Sequence, residues 1–324
     1  MRTWFFLLFA VLFIGCQPDE ENVNSIKLAH SLGVNHPVHE AMVHMADLVA
    51  EKSKGKLKIE IYPSSQLGSE KQSLELLQIG SLGMTKVSAA VMENFSPDLK
   101  VLGYPYLFQD DEHRFKVYDG DIGKKLLSGS EQFWLKGLTY FDAGNRSFYT
   151  KDTPIDRPQD LEGLKIRVMQ SPTAIEMVKS FGGSPTPISW GELYTSLQQG
   201  VVDGAENNLP SFYTSKHYEV CKYFSKNEHS SIPDILVIGT LTWNRLSSQE
   251  KDWLMEAVEK ATVLQRKLWE IAEEEALTEI EKAGVQVSYP DKELFEDKAK
   301  TMLRSLKEEN RHLYELVQEI KNIQ

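Results

Sequence analysis

Residues Gly163 to Pro210 constrain the fold most, because strand and helix signals alternate there at close range. A short run, Ile166-Arg167-Val168, sets β-branched residues on either side of a guanidinium and reads as a strand. Ser171-Pro172 stops it and offers a cap for a helix over Thr173–Phe181, which ends at Gly182-Gly183. In that helix Ile175, Val178 and Lys179 share a face. A second helix, Trp190–Gln199, presents Leu193 and Leu197 together and stops at Gly200. Val201-Val202-Asp203-Gly204 reads as a short strand entering a turn, followed directly by Glu206-Asn207-Asn208. This is α/β alternation, in which element ends carry ligand contacts, and an arginine, a tryptophan and an amide stand at such ends. A guanidinium inside a strand is costly to bury alone. Arg167 must therefore meet an anion, either a ligand carboxylate or an Asp or Glu of the chain itself.

The flanking chain repeats the pattern. Ile26–His30 alternates as a first strand, Val38–Lys52 carries Ala41, Met42, Met45, Leu48 and Val49 on one helical face, and Leu57–Tyr62 alternates again. That β-α-β order implies a right-handed crossover and a parallel pair. Ser73–Gln78 reads as helix, Met84–Ser88 and Trp134–Phe141 as strands, and Tyr104-Pro105-Tyr106 as a rigid aromatic turn. Arg146 follows Gly144 where the chain is expected to cross between domains, and the apolar run Ile232–Ile238 is expected to return it. Tyr218–Phe224 reads as helical, with Cys221 a small buried side chain. Ser247 and Glu250 have capping-box spacing and open the longest helical signal, Ser247 to Gly284. Its stripe Leu254, Ala257, Ala261, Leu264, Leu268 and Ile271 fits either a coiled-coil dimer or one helix packed across both domains. The second is preferred, because the heptads fade into Glu273–Glu275. Val285–Tyr289 reads as a last strand and Leu294–Ile323 as charged amphipathic helix.

A chain of 324 residues, 41% hydrophobic, has room for two domains. A net charge of −11 argues against nucleic acid or an anionic membrane surface as partner, though not against a small anion held by a local arginine. Arg2 and the apolar run Trp4 to Ile14 fit a secretory leader and are too short to span a bilayer. Phe13-Ile14-Gly15-Cys16 resembles a lipobox. It makes Cys16 the expected lipidated N-terminus, with Phe13 where leucine is usual, and makes Gln17–Ser25 a tether. The alternative is cleavage nearby with a free thiol at Cys16.

The run KIRV, the block PTP-x4-E-x-Y-x2-L-Q-x-G-x-V-D-G and the tail E-N-x-x-P resemble the solute-binding subunit of tripartite ATP-independent periplasmic (TRAP) transporters, the DctP-type family. Ile61-Tyr62-Pro63, Ser65-Gln66-Leu67-Gly68 and Pro105-Tyr106-Leu107-Phe108 extend the likeness over nearly the whole mature chain. The resemblance implies a two-lobed periplasmic binding protein fold, α/β, with mixed sheets flanked by helices and one long helix spanning both domains. The division expected is residues 1–25 as leader and tether, 26–143 plus 232–272 as domain I, and 144–231 plus 273–324 as domain II.

It also implies a site. The arginine of the KIRV motif, here Arg167, makes the principal salt bridge to a ligand carboxylate, Arg146 assists, and Asn207 of the E-N-x-x-P tail binds ligand. Glu70 matches an acidic position that hydrogen-bonds ligand hydroxyls, and Trp190 an aromatic position that packs on the ligand. By itself Trp190 equally fits a core, and Glu70 a solvated surface. Lys86 and Ser88 lie on the Met84–Ser88 strand, where an interior lysine needs a ligand anion or Glu70 beside it. Tyr213 is a candidate to close the site with its hydroxyl.

His30, His36, His39 and His44 raise metal binding. At their spacing His39 and His44 do not face one another, and no Cys or His-x-x-x-His pair supports them, so no metal is expected. His36, after the first strand, is instead expected to line a cleft and donate to an anionic ligand. The chain has no G-x-S-x-G, G-x-G-x-x-G, P-loop or H-E-x-x-H motif, which excludes the commonest enzyme readings, and no cofactor is expected. The resulting expectation is capture of a carboxylate-bearing sugar acid, glucuronate or galacturonate, for ion-driven uptake through a TRAP membrane permease. A four-carbon dicarboxylate held by both arginines is the alternative ligand. A ligand-sensing lipoprotein coupled to a receptor kinase and a metal-binding lipoprotein are the alternative classes.

Overall fold

The computed structural model describes residues 24–323. The expected leader and Cys16 lie outside the described residues. The first lobe opens with β1 (Asn24–Ala29), α1 (Pro37–Lys52), β2 (Leu57–Tyr62), α2 (Glu70–Gln78), β3 (Met84–Ser88) and the short α3 (Ala89–Met92). A 3₁₀ segment, Pro97–Gly103, leads to α4 (Asp111–Asp119), α5 (Asp121–Gly129) and β4 (Leu135–Phe141). The chain then crosses to β5 (Arg146–Thr150), β6 (Lys165–Val168), α6 (Pro172–Ser180), β7 (Ser184–Pro187), α7 (Trp190–Gln198), β8 (Gly204–Asn207), α8 (Leu209–Thr214) and β9 (Tyr223–Ser230). It returns through β10 (Asp234–Gly239), α9 (Thr240–Arg245) and α10 (Ser248–Lys282), and ends with β11 (Gln286–Ser288), α11 (Lys292–Glu309) and α12 (Arg311–Lys321).

Two mixed sheets result, ordered β2-β1-β3-β10-β4 and β11-β9-β5-β8-β6-β7. The β1–β2 and β1–β3 pairs are parallel, and β10 runs antiparallel to both β3 and β4. In the second sheet β6 is parallel to β7 and β8, while β5 is antiparallel to β8 and β9. Each sheet therefore has a polar edge at the C-terminal ends of its parallel strands, and these edges bear the ligand-type residues.

The long helix spans both lobes, packing on α1 and β4 of the first and on α8 of the second. Its capping box, Ser247 with Glu250, forms. The buried stripe is Leu254, Ala257, Val258, Ala261, Gln265, Trp269, Ala276 and Ile280, while Ile271 is exposed. This is the 3.6-residue period of a single straight helix rather than a heptad seam. Gln265 occupies a core position because its amide both donates to the Asp142 carbonyl (2.8 Å) and accepts from the Asp142 N–H (2.7 Å).

The structure corrects four sequence expectations. Ser69 and Gln72 form a capping box, so α2 starts at Glu70 rather than Ser73. The strand expected at Val201–Gly204 is displaced to Gly204–Asn207. Gly204 lies so close to β5 that a Cβ there would sit 2.4 Å from the Tyr149 carbonyl oxygen, so Glu206 and Asn207 become strand residues. Tyr218–Phe224 is not a helix: a 3₁₀ turn at His217–Glu219 gives way to β9, with Cys221 buried as a free thiol. Asn24 and Ser25 belong to β1, in register with Leu57 and Lys58, and not to a tether. The strand β7, with prolines at two of its four positions, carried no strand signal.

Candidate functional site

A cavity of about 60 Å³ lies between the two sheet edges, lined from the first lobe by Glu70, Lys86, Ser88 and Asp234 and from the second by Arg146, Arg167, Trp190 and Asn207. Seven of the nine ligand-type side chains expected from sequence thus meet there; only His36 and Tyr213 are absent from its wall.

Arg167 sits on β6, 2% exposed. Its Nε donates to the Ile188 carbonyl at 2.9 Å, while Nη1 has no partner among the described residues. The guanidinium lies 5.7 Å from the Trp190 ring, in cation–π range. Burial lowers its pKa, the expected response of a cation lacking a full counter-ion. Trp190, at the start of α7, is backed by the His217 ring at 5.2 Å. His217 in turn meets the Tyr149 hydroxyl at 2.9 Å, and burial followed by the Arg167 charge takes its pKa down to about 3.

Arg146 differs. Its Nε and Nη2 clasp the Glu206 carboxylate at 2.6 and 2.9 Å, Nη2 also donates to the Glu206 carbonyl at 2.8 Å, and Nη1 donates to Asn207 Oδ1 at 2.7 Å. Burial would raise the Glu206 carboxyl, but Arg146, and then His229 at 3.5 Å, hold it near 2. The anion demanded by a strand arginine is therefore Glu206 for Arg146, and no described residue supplies it for the free edge of Arg167. Asn207 uses its carbonyl oxygen toward Arg146 and the Asn208 N–H (2.9 Å), leaving its amide hydrogens unengaged among the described hydrogen bonds.

On the facing lobe, Lys86 is 2% exposed and donates to Glu70 Oε1 at 3.2 Å and Asp234 Oδ2 at 3.0 Å. Burial opposes its charge, and the two carboxylates more than restore it, raising its pKa. Ser88 caps α3 by accepting from the Ala90 N–H. Asp234 was not singled out from sequence; the available signal was an acid inside the otherwise apolar run Ile232–Ile238. Glu206, inside the E-N-x-x-P tail, was likewise missed as the partner of Arg146.

His36 caps α1, its Nδ1 accepting from the Val38 N–H at 3.3 Å and its Nε2 meeting Ser211 Oγ at 3.2 Å. Burial keeps it neutral, well below its ordinary pKa. It reaches the cavity only through Ser211, which lines it. Tyr213 stacks on Tyr218 at 5.7 Å. His30 Nε2 and His39 Nδ1 are 3.0 Å apart, but no group of three metal-ligating side chains exists among the described residues.

A larger cavity, about 920 Å³, is lined by Tyr106, Arg114, Asn145 and Lys292 among others. Its guanidinium, Arg114, already pairs with Asp111 and Asp142, each at 3.1 Å. The smaller cavity is the better anion site, because Arg167 makes no salt bridge to a described carboxylate, whereas Arg114 makes two. No helix among the described residues is long and apolar enough to cross a membrane.

Comparison with known proteins identifies the family. The family model of bacterial extracellular solute-binding protein, family 7 (DctP), matches residues 28–310. A solute-binding protein of Chromohalobacter salexigens is 34% identical over 291 residues, covering 90% of this chain and 87% of the relative. A TRAP periplasmic solute-binding protein from Bradyrhizobium sp. BTAi1, solved with α/β-D-galacturonate, is 37% identical with a TM-score of 0.89, covering 93% of this chain and 100% of that one. A further one from Chromohalobacter salexigens, solved with D-glucuronate, is 33% identical with a TM-score of 0.89, covering 92% and 100%. The chain belongs to bacterial extracellular solute-binding protein family 7, the DctP family of TRAP solute-binding proteins.

Proposed function

We propose that the protein captures a hexuronate, D-glucuronate or D-galacturonate, outside the cytoplasm and delivers it to a TRAP permease without chemical turnover. The observation that carries the reading is the buried Arg167 Nη1, without a partner among the described residues, facing a wall that offers carboxylate and amide groups for hydroxyls. The ligand carboxylate pairs with Arg167, and Asn207 donates its free amide hydrogens. Trp190 packs against the sugar ring, and Glu70 with Lys86 takes hydroxyls. Arg146 positions Asn207 and holds Glu206. The uronate complexes of the similar solved proteins support the same ligand class. The dicarboxylate reading needs two available arginines, and the saturation of Arg146 by Glu206 favours one carboxylate instead.

A cavity of about 60 Å³ holds a few waters at roughly 10–15 Å³ each, so a hexuronate enters only when the lobes part. The sheets are joined by the crossings at 142–145 and 231–233 and by α10, and closure about them would exclude water and strengthen each charged hydrogen bond. Cys16 is the proposed lipid attachment, tested by mass spectrometry of the mature protein and of Cys16→Ser.

The test is a thermal-shift and calorimetric screen of the mature protein against hexuronates, aldonates, sialate, four-carbon dicarboxylates and divalent metals. A hexuronate should raise the melting temperature, and Arg167→Ala should abolish the effect, with affinity falling at least about 100-fold. Stronger binding of a dicarboxylate, or hexuronate binding that survives Arg167→Ala, overturns the assignment.

A further inference from the structure

We propose that Asp234 and Glu70 form a charge filter that excludes solutes carrying a second carboxylate while accepting hydroxyl hydrogens. This rests on the hexuronate reading of the same cavity and specifies what its far wall selects.

The filter is built by strand register. In the antiparallel pair β3–β10, Asp234 faces Ser88 and Leu236 faces Lys86. Lys86 and Ser88 share a face by the two-residue period of a strand, which brings Asp234 diagonally against Lys86. Glu70, at the start of α2, reaches the same ammonium. One ammonium and two carboxyl groups therefore meet.

One carboxylate would suffice to neutralise Lys86. Asp234, only 8% exposed, is surplus to that pairing and costs desolvation, so a structural role as counter-ion does not account for it. Its second oxygen, Oδ1, and Glu70 Oε2 have no partner among the described hydrogen bonds. Both are acceptors, and one N–H of Lys86 is left as a donor.

The cavity is thus polarised. Arg167 offers uncompensated positive charge at one end, and the Lys86 cluster offers a net negative charge at the other. A solute with one carboxylate and several hydroxyls complements both ends. A solute with a carboxylate at each end sets like charges together across a site shielded from water, a juxtaposition that lowers affinity by about 10²- to 10³-fold.

D-Gluconate and D-glucarate isolate the effect, since both are open-chain and differ only in whether the second terminus is CH₂OH or carboxylate. D-Glucuronate serves as the reference ligand. Isothermal titration of the mature wild-type protein should show glucarate at least about 100-fold weaker than glucuronate. Asp234→Asn keeps the side-chain shape and removes the charge. It weakens hydroxyl contacts common to gluconate and glucarate alike, and should improve glucarate relative to gluconate by tenfold or more. Glu70→Gln is the parallel variant and should move the ratio the same way should the Asp234 variant not fold.

Wild-type protein that binds glucarate as tightly as glucuronate overturns the filter. So do folded variants that bind glucuronate but treat gluconate and glucarate as the wild type does. Wild-type protein that binds no hexuronate overturns instead the ligand reading on which the filter rests, so the two failures are distinguishable.

Discussion

The carboxylate of Glu93 accepts hydrogen bonds from both the backbone N–H and the hydroxyl of Thr173, at 3.0 and 2.9 Å. Ser171 adds a third from its hydroxyl at 2.8 Å. Glu93 follows α3 in the first lobe, whereas Ser171 and Thr173 begin α6 in the second, so one buried carboxylate ties the lobes at a helix N-terminus. Asn94 reinforces it by donating to the Gln170 carbonyl at 2.7 Å, and Gln170 lines the binding cavity.

Glu93→Ala removes the acceptor and leaves buried donors without partners. We expect it to destabilise the protein by about 3 kcal/mol and to weaken hexuronate binding, read by denaturant unfolding and calorimetry. Glu93→Gln should lie between. Unfolding and affinity both equal to wild type would show that this contact does not couple the lobes.

Gly144 stands in the first crossing with φ +54, and a Cβ there would lie 2.7 Å from Trp269 Nε1 and 3.1 Å from Glu273 Oε1. Gly144→Ala combines left-handed backbone strain with a clash against the rigid indole. A loss of about 2 kcal/mol or more is expected in equilibrium unfolding. Trp269→Phe in the same chain should recover part of it, and strict additivity of the two substitutions would contradict the contact.

Glu273 lies against that crossing, and burial, with Asp142 and then Asp111 adding repulsion against the pull of Lys226 and Arg114, raises its pKa from 4.5 to about 7. A carboxyl with a higher pKa folded than unfolded holds its proton more tightly in the folded state. Its contribution to stability is complete below about 4.5 and disappears as pH rises through about 7. Glu273→Gln should remove that dependence. The stability of wild type relative to the variant should fall by about 3 kcal/mol between pH 4.5 and 8. Parallel pH profiles for the two proteins would refute it.

Buried histidines act in the opposite sense. Burial, then the Lys86 charge, takes His30 from 6.5 to about 3, and burial with Arg167 does the same to His217. Their neutral forms stabilise the fold fully above about 6.5, and that stability is lost as pH falls toward 3. His217→Gln should flatten the acid limb of a stability profile. It should also weaken hexuronate binding, because His217 backs Trp190. An acid limb as steep as that of wild type would contradict the assignment.

Local signals made much of this legible in the sequence. The capping box at Ser247, the clean alternation of Leu57–Tyr62 and the apolar face of α1 located elements because a residue's nearest neighbours decide such features. The motifs around Arg167, Asn207 and Glu70 located three side chains that share one cavity. Failures came where packing overrode local preference. β9 forms from Tyr223–Ser230, a segment of weak propensity, because β5 and β11 flank it. Gly204 joins a strand rather than a turn because Tyr149 leaves no room for a side chain.

By itself the sequence determined the elements from β1 to β2 along with β6, α6 and α7, the family, and one strand arginine, Arg167, needing an anion, since periodicity, caps and motif spacing are properties of neighbouring residues. Only the tertiary structure decided which arginine is satisfied. Glu206 reaches Arg146 from the adjacent strand β8, and Asp234, remote in the chain from Lys86, meets it through the register of β3 with β10. Charge compensation in a buried site depends on distances of a few ångströms between groups brought together by sheet pairing, and strand register across a chain crossing leaves no mark in local sequence.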